Sequence, residues 1–381
     1  MRLWVPMRRL ARLSALALML AAVLGAAACS ATGRPAGRAT KATVAHSTGA
    51  ATGSASPAAG PTQATVTIAA VGDTMLGTTP GLPPHPQRYL GAVRRELGQG
   101  AQIVFGNLEG TLTVAAVSKC ASMHAPSGQC LAFRDPPRYV RYLKHAGFTI
   151  LNDANNHSFD FGAAGQAQTV RTIHAAGLAQ TGLPGEITLV RAGGVKVAFV
   201  AFAPYADTAS LLDLPAARAL IKRAARRASV VVVYMHAGAE GATAGHVTGH
   251  EEYFLGEDRG NPQAFAHMAI RAGASLVIAS GPHVLRGMQF YRHHLIAYSL
   301  ADFASYNNFA TGGDLDMSVI LHVTLSAAGA FEHASIDPVQ LTGQGQPVPG
   351  GGAISFVSQL SAQDFGASAA RILPSGVITP P

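Results

Sequence analysis

Acidic, amide and imidazole side chains cluster at five places in the sequence, each just after a short apolar segment. The apolar segments span residues 64–71, 103–105, 148–151, 230–234 and 276–278. The side chains that follow them are, in turn, Asp73; Glu109; Asn155, Asn156, His157 and Asp160; His236 and Glu240; and His283. Such groups, without a thiolate, are the ligand set expected for one or two divalent ions of the Mn, Fe or Zn type. Two ions would clamp both oxygens of a displacement at phosphorus, so the chemistry indicated is hydrolysis or phosphoryl transfer.

The elements that must position these groups are apolar segments of strand length that alternate with helical stretches. This order is typical of an α/β domain. The ends of successive strands lie side by side in such a sheet, so polar residues far apart in the sequence meet in one crevice. We therefore expect the five clusters to converge.

Each cluster taken alone also has a purely structural interpretation. An Asp that follows a strand, such as Asp73, is commonly part of a turn. The Asn pair at 155–156 could cap a helix predicted over 163–176, with Asp160 as a solvated acid of its first turn. His236 could be a core histidine whose hydrogen bonds are satisfied. The coincidence of five strand-end placements favours a common site.

The N-terminal 29 residues have the order of an export signal. Basic side chains come first, followed by an apolar run over 13–28 that is short for a membrane-spanning helix. Residues 26–30 resemble a bacterial lipoprotein cleavage box, in which Cys29 becomes the lipid-bearing first residue. The alternatives are a secretory signal cut after Ala28 and an uncleaved anchor. All three place the folded part outside the cytoplasm, and the lipoprotein interpretation anchors it to the cell membrane.

Residues 30–64 consist mostly of Ala, Thr, Gly, Ser and Pro, which predicts a disordered linker ahead of one folded domain over 65–381. The formal net charge is +8, but residues 1–64 hold seven Lys or Arg and no acid. Taking these seven from the total of 28 leaves 21 basic against 20 acidic side chains. A nearly neutral body without a zinc-finger or helix-turn-helix signature excludes nucleic acid as a partner.

Two cysteines, Cys120 and Cys130, lie close together in a loop that contains Ser, Gly and Pro. In an exported chain this spacing predicts a local disulfide that staples the loop. Zinc binding is the less favoured alternative, because no CxxC spacing accompanies the pair.

Several motifs occur in a characteristic order: AVGDTMLG, NLEGTLT, ANNHSFDFG, HAGAEG, and GPHVLRG followed by LIAYSL. In this order they resemble the CapA family of poly-γ-glutamate capsule-synthesis proteins, which is related to calcineurin-like metallophosphatases. The resemblance covers residues 66–303 and fades after that. It implies a four-layer α/β/β/α sandwich of the metallo-dependent phosphatase type. The tail from Ala330 is expected to pack on this body as part of the rim of the second sheet.

The resemblance also implies a role for each matching residue. Five side chains would be metal ligands: Asp73, Glu109, Asn156, His236 and His283. His157 would be the acid that protonates a leaving oxygen. By analogy with metal sites in general, Asp160 and Glu240 would orient the histidines. The cofactor expected is a divalent metal, as two ions of Mn, Fe or Zn.

Two departures from the family pattern concern the site. The last motif of the family usually carries a His ahead of the final one, whereas this chain reads Ala-Ser-Gly-Pro-His over 279–283, so one expected ligand is absent. Asp302 replaces the usual Asn after Tyr-Ser-Leu, and we interpret it as a turn cap rather than a further carboxylate ligand. His246, His250 and Glu251 could supply a replacement ligand, but an exposed loop cluster is the favoured interpretation.

The function predicted is that of a metal-dependent, phosphoesterase-like hydrolase that acts in the biosynthesis of an anionic envelope polymer. One alternative is a non-catalytic anchoring or polymer-handling component, consistent with the lipid anchor, the linker and the missing His. A further alternative is a hydrolase or transferase that acts on γ-linked glutamate amides at the same site. The expected partners are the polymer or a phosphoester substrate, other envelope-polymer synthesis proteins, and the membrane through the lipid anchor.

Overall fold

The computed structural model describes residues 64–124, 130–309 and 311–381. The expectations for the signal, Cys29 and most of the linker fall on residues 1–63 and lie outside the described part. Within the described residues the helices are α1 Arg94–Gly98, α2 Lys119–Ser122, α3 Val140–Ala146, α4 Gly162–Ala175, α5 Leu214–Ala225, α6 Pro262–Ala272 and α7 Ala353–Phe365. None of these helices has the length and apolar character needed to span a membrane.

The strands of the described residues belong to two large sheets and two small ones. They are β1 Thr65–Met75, β2 Ile103–Leu108, β3 Thr111–Leu112, β4 Arg134–Asp135, β5 Ile150–Asn152, β6 Ala179–Thr181, β7 Thr188–Ala192, β8 Val195–Phe202, β9 Val230–His236, β10 Tyr253–Phe254, β11 Glu257–Asp258, β12 Leu276–Ser280, β13 Met288–Tyr291, β14 His294–Ala297, β15 Asp302–Ser305, β16 Met317–Ser326, β17 Phe331–Thr342, β18 Gln346–Pro349, β19 Arg371–Ile372 and β20 Val377–Thr379.

The larger sheet has ten strands in the order β19-β20-β17-β16-β1-β2-β5-β6, with β15 beside β1 and β18 beside β17. The smaller has six, in the order β13-β14-β12-β9-β8-β7. Strands β8, β9 and β12 are buried along nearly their whole length. Their continuous apolar sequences follow from this, because a parallel strand in the middle of a sheet is covered on both faces.

Three apolar clusters show how the layers are stacked. The first joins side chains of both sheets, such as Phe105 and Phe199, and fills the space between them. The second packs α5 and α6 on the outer face of the six-stranded sheet, and the third packs α3 and α4 on the outer face of the ten-stranded sheet. The result is a four-layer α/β/β/α sandwich, which confirms the predicted fold class.

The helix predicted over 163–176 is observed as α4, with slightly different bounds. Helix α5 begins where Asp213 accepts a hydrogen bond from the backbone N–H of Ala216 at 3.0 Å, and Pro follows in its first turn. Both features are typical of helix N-termini. The disulfide between Cys120 and Cys130 is also present, as predicted.

The expectation for the C-terminal tail is only partly correct. Strands β17 to β20 extend the first, ten-stranded sheet instead of the second, because β16 pairs antiparallel with β1 and β17 pairs antiparallel with β16. The tail then crosses to the second sheet, where the backbone N–H of Ala370 bonds the carbonyl of Met288 in β13 at 3.0 Å. The tail therefore closes one side of the sandwich.

All five strands predicted to carry polar clusters are present, as β1, β2, β5, β9 and β12. Strands β1, β2 and β5 run parallel in one sheet, and β9 and β12 run parallel in the other. At Gly72, β1 lies so close to the segment that leads into β15 that a Cβ atom would collide with the carbonyl oxygen of Ala301. The next residue, Asp73, donates its backbone N–H to that oxygen at 2.9 Å. Glycine is needed here so that β1 can pair closely with β15.

A buried ion pair fixes the long loop between β9 and α6. Arg286 is fully buried and donates to both carboxylate oxygens of Glu252, at 3.0 and 2.6 Å. Its Nε donates to the carbonyl of Ala244 at 2.8 Å, and Glu252 accepts from the backbone N–H of Ala239 at 2.8 Å. The pair therefore holds the start of the loop, and Glu240 with it, against the segment that leads into β13.

Replacement of Arg286 by Met should lower the free energy of unfolding by about 3–5 kcal/mol, because Glu252 would remain buried without its partner. Urea denaturation measures this change. The double variant R286M/E252Q should recover part of the loss, since it removes the uncompensated charge. Arg95→Met is the matched control, because its ion pair with Glu96 is exposed on the arginine side and should contribute at most about 1 kcal/mol. Equal losses in R286M and R95M would contradict the role assigned to the buried pair.

Candidate metal centre

Asp73 lies near the end of β1, fully buried, and its carboxylate is held from two sides. One oxygen accepts hydrogen bonds from Asn107 Nδ2 at 2.7 Å and from the hydroxyl of Ser280. The other accepts from the backbone N–H of Gly281 at 3.2 Å and lies 3.4 Å from Nδ1 of His283. Burial alone would raise the pKa of Asp73, but the hydrogen bond with His283 and the nearby charges outweigh burial and lower the pKa to about 2. Asp73 is therefore an ionised, rigidly oriented carboxylate.

Glu109 follows β2 and differs from Asp73 in one respect. Both of its carboxylate oxygens are buried, and neither has a hydrogen-bond partner among the described residues. Two imidazole nitrogens face it: Nε2 of His236 at 3.7 Å and Nε2 of His283 at 3.8 Å. Burial, and then the negative charge of Asp73, raise the pKa of Glu109 well above its usual value. A cation between these groups would remove the cost of this arrangement.

His236 ends β9 and is fully buried. Its Nδ1 lies 3.2 Å from the hydroxyl of Tyr234, which in turn bonds the hydroxyl of Ser280 at 2.5 Å. Its Nε2, on the side of Glu109, has no partner within the described chain. Burial lowers the pKa of His236 well below its usual value, so the imidazole is neutral. A neutral ring with one nitrogen fixed and the other free is the form in which histidine binds metals.

His283 lies just after β12 with a positive φ of 57°, which is uncommon for a residue with a side chain. Its Nδ1 bonds Oδ1 of Asp302 at 2.8 Å, while its Nε2 points between Glu109 and Glu240 and has no hydrogen-bond partner in the described residues. Burial disfavours the charged ring, but the carboxylates of Asp302 and Glu109 outweigh it and raise the pKa of His283 well above its usual value. The ring is thus surrounded by carboxylates.

The interpretation of Asp302 as a turn cap is wrong. Asp302 is buried at the start of β15, beside Asp73 in the parallel pairing of β1 with β15, and its carboxylate contacts His283. Burial raises the pKa of Asp302 to about 6, although the charge of His283 opposes the shift. Together with Asp73, Glu109 and His283 it brings one potential ligand atom within 4.8 Å of each of the others. The side chain belongs to the cluster that the sequence predicted without it.

Asparagines of three neighbouring segments hold the carboxylates in place. Oδ1 of Asn107 accepts from Asn152 at 2.6 Å and from Asn155 at 3.0 Å, while its amide donates to Asp73. Asn155 is therefore structural. Asn156, the predicted ligand, lines the cavity, and its Oδ1 is buried without a partner among the described residues. That amide oxygen is available to a cation.

His157 and Asp160 form a pair at the wall of the cavity. Nδ1 of His157 lies 2.8 Å from Oδ2 of Asp160, and the other oxygen of Asp160 is paired with Nζ of Lys119 at 2.7 Å. The ring of His157 also packs against Phe133 at a tilt of 43°, with the centroids 4.3 Å apart. Burial lowers the pKa of His157, and the charge of Asp160 partly offsets this. The orientation of His157 by Asp160 agrees with the expectation from the sequence.

Glu240 lies 3.7 Å from Nε2 of His283, too far for a hydrogen bond. Its closest partner is Nη1 of Arg259 at 2.8 Å, and the same nitrogen donates to the hydroxyl of Tyr205 at 2.8 Å. Arg259 is almost fully buried. Glu240 is thus oriented by an arginine and faces the histidine without bonding it.

Some of these groups line a cavity of about 570 Å³, within the size range of small-ligand pockets. Its wall includes Asn156, His157, Glu240 and His283, and also the two cationic side chains Lys119 and Arg259. Phe309 packs on the ring of His283 with centroids 4.1 Å apart. The loop after β9 contains His246, His250 and Glu251, which the sequence predicts to form an exposed cluster. All three residues are exposed in the structure.

Ser280 lies in the segment where the family pattern usually has an additional histidine. Its hydroxyl contacts both Asp73 and Tyr234, so this part of the segment stabilises Asp73 instead of offering a nitrogen ligand. Sequence reasoning also missed Lys119 and Arg259. Lys119 precedes a disulfide cysteine and Arg259 follows a two-stranded hairpin, and neither position carries a motif that indicates a site.

The residues present fit a divalent metal. Carboxylate, imidazole and amide groups, without a thiolate, converge from both sheets. Of the buried polar atoms that lack a partner in the described part of the chain, five belong to the predicted ligands: Glu109 Oε1 and Oε2, His236 Nε2, His283 Nε2 and Asn156 Oδ1. Buried polar atoms are normally paired, so this concentration at one place indicates a missing ligand and not poor packing. Manganese, iron and zinc suit this donor set.

Solved structures with a similar fold include a 5'-nucleotidase precursor from Thermus thermophilus, with 12% identity and a TM-score of 0.41 over 72% of this chain and 54% of that chain. The purple acid phosphatase PPD1 from seeds of yellow lupin (Lupinus luteus) has 10% identity and a TM-score of 0.34 over 73% of this chain and 52% of that chain. The chain spans about half the length of these two structures.

Relatives in sequence include the PGA biosynthesis protein CapA of Bacillus subtilis (strain 168), which is 25% identical over 296 residues, or 70% of each chain. The capsule biosynthesis protein CapA of Bacillus anthracis is 31% identical over 187 residues, or 43% of this chain and 42% of that protein. The model of the family described as bacterial capsule synthesis protein PGA_cap matches residues 67–307, well over half of the chain. The chain therefore belongs to the PGA_cap family of bacterial capsule synthesis proteins, as its motifs predicted.

Proposed function

We propose that this protein is a metal-dependent, phosphoesterase-like hydrolase of the cell envelope that acts in the biosynthesis of an anionic polymer. The observation that carries the proposal is the environment of Glu109. Both oxygens of this fully buried carboxylate lack partners in the described residues, which is costly, and the group faces two imidazole nitrogens at 3.7 and 3.8 Å. Either a proton or a cation must compensate it. The second is favoured because Asp73, His283 and Asp302 lie around the same point.

Six side chains would hold the metal in this proposal: Asp73, Glu109, Asn156, His236, His283 and Asp302. Two ions are supported by the number of donors and by their origin in both sheets. A divalent cation here supplies Lewis-acid polarisation of a phosphoryl oxygen. The lysine and arginine of the cavity wall add positive charge, which suits an anionic substrate.

His157 is the residue we assign as proton donor to the leaving oxygen. Its Nδ1 is engaged with Asp160, and Lys119 stabilises Asp160 from the other side. The remaining nitrogen, Nε2, is the one available to the cavity that His157 lines, and it carries the proton to be donated when the ring is in its protonated form beside Asp160. A histidine held in a fixed orientation in the wall of the cavity is suited to general acid catalysis on a phosphate ester bound there.

The location and the polymer follow from different observations. The basic and apolar N-terminal sequence that ends at Cys29 supports export and a lipid anchor, and residues 30–64 would tether the domain at the outer side of the cell membrane. Family membership supports a role in making an anionic envelope polymer together with other envelope proteins.

Ser280 supports a second candidate function. Because this segment lacks the usual histidine, the domain could hold the polymer without cleaving it, as an anchoring component. A variant in which Asp73 and His157 are replaced together distinguishes the two candidate functions. A polymer-handling protein keeps its affinity for the polymer, whereas a hydrolase loses turnover.

Glu109→Gln tests the metal site, because the variant keeps the shape of the side chain and removes its charge. The purified wild-type protein should contain Mn, Fe or Zn by elemental analysis, and E109Q should lose most of it. At a metal concentration about 100 times the Kd, binding should add about 2.7 kcal/mol to the stability of the wild type. In the presence of a chelator E109Q should be at least as stable as the wild type, since a neutral amide replaces an unpaired buried carboxyl.

Glu96→Gln is the matched control for this experiment, because Glu96 is also buried but pairs with Arg95 in α1. Its metal content and the stabilisation by metal should equal those of the wild type. A wild-type protein without metal, whose thermal unfolding does not respond to added Mn, Fe or Zn, would reject the proposed site.

His157→Asn should reduce kcat for an aryl phosphate or phosphodiester by about 10²–10⁴-fold, the usual contribution of a general acid. The metal content should remain, because the assigned ligands are intact. Steady-state kinetics with metal-loaded protein measures the effect. His174→Asn is the control, since His174 is exposed on α4. An unchanged kcat in H157N would show that another group donates the proton.

A further inference from the structure

Exposed apolar side chains are concentrated at the mouth of the metal cavity. Ten large apolar side chains are exposed in the described residues, and four of them, Met123, Leu131, Phe159 and Leu255, line this one cavity. Half-buried Phe254 lines it as well. We call these five residues the apolar rim. Isolated exposed apolar residues are normal, but their concentration at a cavity marks a binding surface.

Leu255 has a conformation that the fold does not explain. It occupies the two-residue turn between β10 and β11, where both it and Gly256 have positive φ, 49° and 85°. Such turns favour Asn-Gly or Asp-Gly, because residues with a branched or bulky side chain are strained there. The leucine is also 88% exposed, so it gains almost no packing in return. A strained, exposed leucine at a cavity mouth indicates a role in ligand binding.

The charged part of the cavity is continuous with the apolar rim. Lys119 begins α2, and Met123 directly follows the end of this one-turn helix. Arg259 directly follows β11, the short strand after Leu255. Both cations line the same 570 Å³ space as His157 and His283. A single ligand that enters this space therefore meets cationic side chains, the candidate metal ligands and an apolar surface.

We infer that the substrate is an amphiphilic phosphate ester, with its phosphate at the metal cluster and a hydrocarbon chain along the apolar rim. This inference rests on the phosphoesterase function proposed above and adds the class of substrate. The apolar residues line the wall of the cavity and do not form a flat face beside it. A membrane surface or a second protein would touch the exposed tip at Leu255 but not half-buried Phe254. The hydrocarbon chain of a ligand reaches both.

The experiment uses a series of alkylphosphonates, from methyl to octyl, as non-hydrolysable probes below their micelle concentrations. Binding to the full-length, metal-loaded protein is measured by calorimetry. A fully buried methylene strengthens binding about fourfold, so a chain half-buried on the rim should gain about twofold for each methylene. Octylphosphonate should then bind on the order of 100-fold more tightly than methylphosphonate.

Leu255→Asn tests the rim directly. Asparagine suits the left-handed turn, so the variant should fold at least as well as the wild type. The ratio of the Kd for methylphosphonate to that for octylphosphonate should fall at least threefold, and this ratio does not respond to a general weakening of the site. Leu373→Asn is the matched control, because Leu373 is 45% exposed and does not line the cavity. Its ratio should equal that of the wild type.

The contrary outcomes separate this inference from the function beneath it. If methylphosphonate binds in a metal-dependent way but chain length has no effect, or if L255N keeps the full ratio, the amphiphilic substrate is rejected and the phosphoesterase function stands. If no phosphonate binds to metal-loaded protein, both are rejected. Binding to uncharged phosphatidylcholine vesicles that is lost in L255N, without any chain-length effect, would assign the rim to membrane docking instead.

Discussion

The structure depends on how several buried carboxylates are kept close together between two sheets. Asp73, Glu109 and Asp302 lie around His283, and of these three only Asp73 and Asp302 have hydrogen-bond partners for their charge within the described chain. Like charges at this distance cannot all be ionised without compensation, since burial weakens the screening between them. The imidazolium of one histidine balances part of the charge. Glu109 is left over, and its environment is complete only with a proton or a metal ion.

The architecture explains why these groups can meet at all. Each sheet alone would gather only its own strand ends at one edge. Here β1 comes within backbone contact of the segment before β15, because Gly72 has no side chain, and Asp73 hydrogen bonds to Gly281 of the other sheet. The apolar core between the sheets holds the two sets of strand ends face to face. The site is therefore a property of the four-layer stacking.

The sequence predicted the five strand-end clusters and the α/β class, because apolar segments and polar ends are local patterns. Asp302 was misassigned, since a carboxylate after an apolar run looks the same whether it caps a turn or contacts His283. The role of Arg259 could not be predicted, because it depends on burial and on the ion pair with Glu240. No sequence motif links these two residues, although they are in contact in the structure. The pairing of the tail strand β17 with β16 could not be predicted either, because the pairing and register of strands remote from the motifs are not encoded in a local sequence pattern.

Ser280 lies where the family usually has a histidine, and it still helps to fix the positions of the side chains in the site. Its hydroxyl donates a hydrogen bond to one oxygen of Asp73. It also contacts the hydroxyl of Tyr234, which in turn contacts Nδ1 of His236 and so helps to position that ring. The same oxygen also accepts from Asn107, so it is fully engaged within the protein. Asp73 thus has only its other oxygen to offer a cation, whereas both oxygens of Glu109 lack a hydrogen-bond partner among the residues that the structure describes. The donors are therefore unevenly distributed, and a cation near Glu109, His236 and His283 would have more ligands than one beside Asp73 and Asp302. This asymmetry, more than the absence of a single histidine, would set the relative affinities of two metal positions.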